Sequence, residues 1–506
     1  MGLRLYTMKN TLLLLIILFG SNLTRGQDQY RLLGPIKNHY QTIVNHGRDH
    51  YGDQNTPVWM SSLDPSTHSY PADDQRPAHI PARVYLDRSV DAPKGATLYW
   101  DLPDLATAYN LSYIFQDSLY WQAANDYVNF FLQHCRANNG VILWGNHYFY
   151  DAFQDTPVRF KSSENPEAID LTSEKGDLHE MRPLSAPWDI LWSIDSVVVE
   201  QHIRVITSNH LVDETTGEFN RHADNERGYA FLEYGGILAY TLSWLYQKTS
   251  DQSLLEKANK IIEFSYGFRN PTTGLIENSP TQDRWDKYAS TTEIGLWANY
   301  ILKAADLAPE NYSRGWIEKA DQAISDWIRF GYDPGQEMFH GALNVADGKP
   351  IKRTDDYPYR PDNYSNIWNP LFPTHNYPMQ FAESCLKLYS LTKKPIYQQG
   401  CQLWLSTIAH QFRDRDREQL IYAENYARVL HYLLGYQKIF GKQQAESLYF
   451  DIQRDALNNL YLPEYEMFRG HTGEIRYDAV DGIGLLSLVI IWQQTGSYPM
   501  GAVAFF

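Results

Sequence analysis

The sequence predicts an all-α fold, a closed ring of helical hairpins, on three observations. Apolar residues recur at helical spacing along most of the 506 residues. Turn signals, each followed by an apolar residue and then polar ones, separate these runs at a nearly constant interval. The runs also differ in kind. Gly228 to Trp244 and Asp481 to Trp492 are almost continuously apolar, whereas Leu254 to Ile262 carries one apolar stripe. A helix apolar all round is buried on every side, and a striped helix covers it from outside.

The interval is read from glycine turns. Gly140, Gly217, Gly274, Gly335 and Gly473 step by 77, 57, 61 and 138 residues, the last being two units of 69 with a polar turn at Arg413 to Glu418 between them. A period near 60 exceeds that of the common solenoid pairs and suits a hairpin with a long decorated loop. The expected fold is an (α/α)6 toroid of helical hairpins with an irregular N-terminal segment, its loops converging at one end of the inner helices.

In chain order, Met8-Lys9-Asn10 precedes the apolar run Leu12 to Phe19 and small or polar residues to Gly26. This reads as a secretory signal peptide over residues 1–26, too short to span a membrane. No later stretch is apolar enough to do so. Residues 27–100 hold six prolines between Pro57 and Pro93 and read as an irregular wrap with one helix near Ile36 to His50. Residues 101–506 read as the toroid. Its helices are expected at 101–116, 118–137, 188–209, 226–248, 252–266, 289–308, 313–330, 375–392, 396–411, 422–440, 443–459 and 478–495. Asp224 or Asn225 is the expected N-cap of the fourth.

Composition narrows the function. A net charge of −16 and a pI near 5.4 argue against nucleic acid as a partner. They leave room for an anionic substrate in a local Arg/His pocket. Aromatic residues make up 14%, which suits sugar stacking as well as helical packing. Cys135, Cys385 and Cys401 form no disulfide framework, though Cys385 and Cys401 could pair across adjacent helices.

Four polar and aromatic clusters fall in the loops. They are Trp144 to Asp151; Arg221-His222 with Arg227 and Tyr229; Trp368-Asn369-Pro370 with His375-Asn376-Tyr377; and Arg469-Gly470-His471 with Arg476-Tyr477-Asp478. Arg284 and His340 occupy equivalent loops. This inventory suits proton abstraction beside a carboxylate. Arg, Asn or His neutralises the uronate carboxylate, one His or Tyr takes the C5 proton, and another protonates the group leaving C4, a glycosidic oxygen in a polysaccharide lyase or a hydroxyl in a dehydratase. A glycosidase instead needs two carboxylates flanking the bond. Asp151, Glu180, Asp224, Glu233, Glu293, Glu424 and Asp478 are candidates, although most also suit caps or ion pairs. A non-catalytic glycan-binding protein is a third possibility. His179-Glu180 lacks the second His of a zinc motif, and no cofactor is called for.

With this signal peptide, hairpin period and loops such as Trp144-Gly145-Asn146-His147-Tyr148, the chain resembles the oligosaccharide dehydratases of marine ulvan-degradation clusters, and pectate-lyase-like helical toroids more distantly. The resemblance implies a secreted or periplasmic carbon–oxygen lyase. It would form a 4,5-unsaturated uronate at the non-reducing end of glucuronate- or iduronate-containing, sulfated oligosaccharides. His147, His222, His375 and Tyr377 are the expected catalytic residues. Trp144, Asn146, Arg227, Arg284 and Arg469 are the expected substrate contacts, with the arginines meeting anionic groups.

Overall fold

The computed structural model describes residues 32–71, 94–145, 147–159, 166–172, 178–181, 184–279, 287–352, 364–368 and 378–506. The expected signal peptide, Asn146, Arg284, His375 and Tyr377 lie outside them. Fourteen α-helices among these residues form two concentric layers. In chain order they are α1 (Leu33–His46), α2 (Leu98–Phe115), α3 (Ser118–His134), α4 (Trp188–Ile194), α5 (Ser196–His210), α6 (Leu232–Thr249) and α7 (Gln252–Gly267). They continue with α8 (Thr291–Leu307), α9 (Glu310–Gly331), α10 (Pro378–Thr392), α11 (Pro395–Asp414), α12 (Ala423–Phe440), α13 (Glu446–Leu460) and α14 (Ile483–Thr495).

The even-numbered helices are the inner layer, and the sequence contrast marks them. In α2 every residue from Leu98 to Leu111 is buried, and in α14 every residue from Ile483 to Trp492. The outer helix α9 buries one stripe built on Trp316, Ala320, Ile324 and Trp327. The toroid of hairpins is therefore as predicted. A last inner helix, α14, closes it against α2, with α1 packed outside. At this seam a Cβ on Gly484 would overlap the backbone at Pro103 and Asp104, so only glycine allows the approach. Thr107 Oγ1 donates to the Gly484 carbonyl at 3.1 Å.

The axis is filled from one end by residues 500–506. Asn110 of α2 bonds both backbone groups of Met500 at 3.0 Å. The Phe505 carbonyl accepts from Gln380 at 3.2 Å and Arg428 at 2.8 Å, and the Ala504 carbonyl from Tyr300 at 2.8 Å. The Phe506 ring stacks on His431 with centroids 4.1 Å apart. This plug's contacts run from Asn110 in the C-terminal half of α2 to Gln380 and Arg428 in the first two turns of α10 and α12.

Short strand pairs follow three of the outer helices, α5, α9 and α13. Leu211–Asp213 pairs with Glu218–Phe219, Tyr332–Asp333 with Met338–Phe339, and Tyr461–Leu462 with Met467–Phe468. Gly140, Gly217 and Gly274 have the positive φ expected of these turns. Elsewhere the turn falls differently: Glu337 rather than Gly335, and Glu466 rather than Gly473, takes the left-handed conformation.

Several boundaries differ from expectation for local reasons. The run 188–209 is two helices, because Asp195 leaves the helical region and caps α5 by accepting from Val197 and Val198. Helix α6 begins at Leu232 rather than 226. Asp224 is not its cap but closes a turn onto Glu226 at 3.0 Å, and Asn225 sits at φ 61°. The expected helix at 478–495 starts at Ile483, preceded by a strand pairing Tyr477–Asp478 with Ser62–Leu63. Cys385 and Cys401 do not pair; all three cysteines are free and buried.

Candidate active site

Three loop segments lie side by side before the inner helix α6. Glu180 N donates to the Trp144 carbonyl at 2.9 Å, Met181 N to Arg221 at 2.8 Å, and Ala223 N to His179 at 3.2 Å. This short ladder carries Trp144, Glu180 and His222 across adjacent strands. Gly145 is held at φ 128° with no room for a Cβ beside Glu180. The chain then turns through His147 into the strand Tyr148–Asp151.

Glu180 is 1% exposed and lies 3.7 Å from Arg221, measured Oε1 to Nη2. Arg221 Nε donates to His222 Nε2 at 2.9 Å, and its guanidinium lies 4.9 Å over the Phe231 ring. Burial lowers the pKa of His222. Glu180 opposes that shift, while Arg221 and His147 reinforce it. His222 thus has Glu180, Arg221, Asp224 and His147 as electrostatic neighbours, the last of them 75 residues away in sequence.

A carboxyl pair adjoins this cluster. Glu233 opens α6 and Glu293 opens α8, close enough that Glu293 acts on Glu233. Burial raises the Glu233 pKa. Arg221 acts on Glu233 as a counter-charge. The pair recurs at the hairpin period, since 293 − 233 is 60. That spacing of acidic residues at two inner-helix starts is the signal that marks it.

The other expected contacts are committed to structure. Arg227 bridges Asp213 at 2.9 Å and Glu218 at 2.6 Å, locking its own loop to the preceding turn. Arg469 Nε donates to the Asn459 carbonyl at 2.6 Å, and burial lowers its pKa. Trp144 is 4% exposed, stacked with His179 and Trp188, so its ring forms wall rather than a sugar platform. Arg476 pairs with Glu474 at 2.7 Å, and His471 approaches Asp481 at 4.0 Å. Two imidazoles and a carboxylate are donor types that divalent cations take. Among the described residues, however, no three His, Cys, Asp or Glu side chains are placed to hold a metal ion. No described helix is long and apolar enough to cross a membrane.

The loops of this centre fall inside the one segment that matches a protein family. Residues 105–230 match the periplasmic pectate lyases and include His147, Glu180, Arg221 and His222. Among solved structures, the chain is similar to the α-1,6-mannanase GH76A of Salegentibacter sp. HEL1_6 at 10% identity and a TM-score of 0.42, covering 93% of this chain and 98% of that one. Cellobiose 2-epimerase from Bacillus thermoamylovorans B4167 aligns at 7% identity and a TM-score of 0.42, covering 91% and 98%. A family 105 glycoside hydrolase of C. acetobutylicum ATCC 824 aligns at 9% and 0.42, covering 82% and 99%. Likeness of that degree transfers no activity. The family match supports a carbohydrate-processing enzyme.

Proposed function

We propose that the protein is a periplasmic or secreted carbon–oxygen lyase that forms a 4,5-unsaturated uronic acid from an anionic oligosaccharide. One observation carries this: Glu180, Arg221 and His222 lie together with His147 acting on His222, within the segment similar to periplasmic pectate lyases. Arg221 is the group that holds the substrate carboxylate and so stabilises the charge that develops as C5 loses its proton. His222 Nε2 already accepts from Arg221, so a neutral His222 carries its proton on Nδ1. His147 is then the better base at C5. An acid, drawn from His222, His375 or Tyr377, protonates the oxygen leaving C4.

The specific substrate proposed is an ulvan-type oligosaccharide, dehydrated at a non-reducing-end glucuronate or iduronate next to sulfated rhamnose. The pectate lyase match favours a second reading, cleavage of an internal uronate linkage, by the same elimination.

The test is incubation with saturated ulvan oligosaccharides and, separately, polygalacturonate, following ultraviolet absorbance and product mass. Dehydration predicts rising absorbance with loss of one water per chain. Internal cleavage predicts rising absorbance with shorter products. New reducing ends without absorbance would make the protein a hydrolase, and binding without any product would make it a glycan-binding protein.

A further inference from the structure

Three histidines lie behind the candidate centre with no role assigned above. His179, His202 and His210 are each 2% exposed or less. His210 Nδ1 is 2.6 Å from the Asn220 carbonyl oxygen. A carbonyl only accepts, so that nitrogen carries the proton. Burial keeps all three rings neutral, with His202 lowered to about 3 and His210 to about 4. His210 Nε2 is therefore an acceptor, and His179 Nδ1, 2.7 Å away, is the donor to it. His202 Nδ1 accepts from the Ile142 N–H at 3.0 Å, which puts its proton on Nε2.

The chain of bonds joins the two segments that carry the centre. At one end His179 directly precedes Glu180, and its carbonyl accepts from Ala223 N at 3.2 Å. At the other end the Asn220 side chain orders the loop of Arg221 and His222. Its Oδ1 accepts from His222 N at 2.8 Å, and its Nδ2 donates to Asp224 at 2.6 Å and to the Glu226 carbonyl at 2.7 Å. An apolar side chain in place of His210 could fill the volume but would remove the side-chain link between the two segments and leave only the backbone ladder.

We infer that His179, His210 and Asn220 form a tautomer-fixed clamp that sets the Arg221–His222 pair against Glu180, with His210 and Asn220 as positioning residues. The catalytic part of this inference rests on the proposed uronate elimination; the tautomer pattern does not.

Two measurements on the full chain test it. Long-range proton–nitrogen NMR of the histidines at neutral pH should show Nδ1–H tautomers for His179 and His210 and an Nε2–H tautomer for His202. An Nε2–H tautomer at His210 would overturn the clamp. On whichever uronate substrate is turned over, His210→Phe should lower kcat about 100-fold with KM changed less than about threefold. His210→Gln, which keeps one donor and one acceptor, should recover to within about tenfold of wild type. A folded His210→Phe with kcat within about threefold of wild type would overturn the positioning role. If that variant does not fold, Asn220→Ala takes its place with the same expectation and the same overturning result. Wild-type inactivity on every uronate would instead remove the functional reading, and the NMR pattern would still decide the clamp.

Discussion

Arg221 is the side chain on which most of the proposed chemistry depends, because it faces His222, Glu180 and Glu233 at once. Its planar fork can keep the bond to His222 while meeting a carboxylate, which a lysine ammonium cannot do. Arg221→Ala and Arg221→Lys should both lower kcat, the first by about 10²–10³-fold, read from initial rates of ultraviolet absorbance. A lysine variant at wild-type rate would show that charge alone suffices. His222→Ala should abolish turnover with helical circular dichroism unchanged. The pH dependence of stability has a separate residue-level source. Burial raises Asp104, bonded to Tyr40, to about 7. A raised carboxyl adds stability below its unfolded value near 3.8, and that stability is lost as pH rises through about 7. The buried histidines act oppositely: their lowered values make stability fall as pH drops from about 6.5 towards about 4. Asp104→Asn should therefore flatten the fall in melting temperature between about pH 5 and pH 8, whereas an unchanged slope would exonerate that carboxyl.

At the scale of elements, the sequence was most informative where burial is one-sided. The contrast between α14 and α7 is written in their hydrophobic patterns, so the two layers could be read directly. Breaks made by a single cap were not legible. Asp195 interrupts 188–209 because its carboxylate satisfies two amide donors of α5, a choice no apolar periodicity encodes. Asp195→Ala should cost about 1 kcal/mol in denaturant unfolding. No change would mean the break is imposed by packing around Trp188 instead. Of the candidate site, Arg221 and His222 were legible as polar residues before a buried helix, and His147 as part of a polar and aromatic loop. The roles of Trp144, Arg227 and Arg469 were not, since a residue type in a loop does not say whether it turns inward, pairs locally or faces the mouth. The Glu233–Glu293 contact needed the ring itself, because it joins two helices that only the toroid brings side by side.

On the scale of the whole molecule, ring closure makes one centre from distant loops. The seam between α2 and α14 and the plug at Ala504 and Phe505 tie together the inner helices α2, α8, α10, α12 and α14. Gly484→Val should destabilise the chain by about 1–3 kcal/mol through overpacking against Asp104, measured as an earlier denaturant midpoint with an unchanged slope. A neutral result would show a looser seam than the geometry implies. The proposed function requires that His147, Glu180, Arg221 and His222 receive a uronate. A crystal structure of the His222→Ala protein with a uronate oligosaccharide bound tests this. The sugar carboxylate should lie on the Arg221 guanidinium, with the C5 hydrogen turned toward His147. A carboxylate bound away from Arg221, or a sugar lying between Glu233 and Glu293, would contradict it.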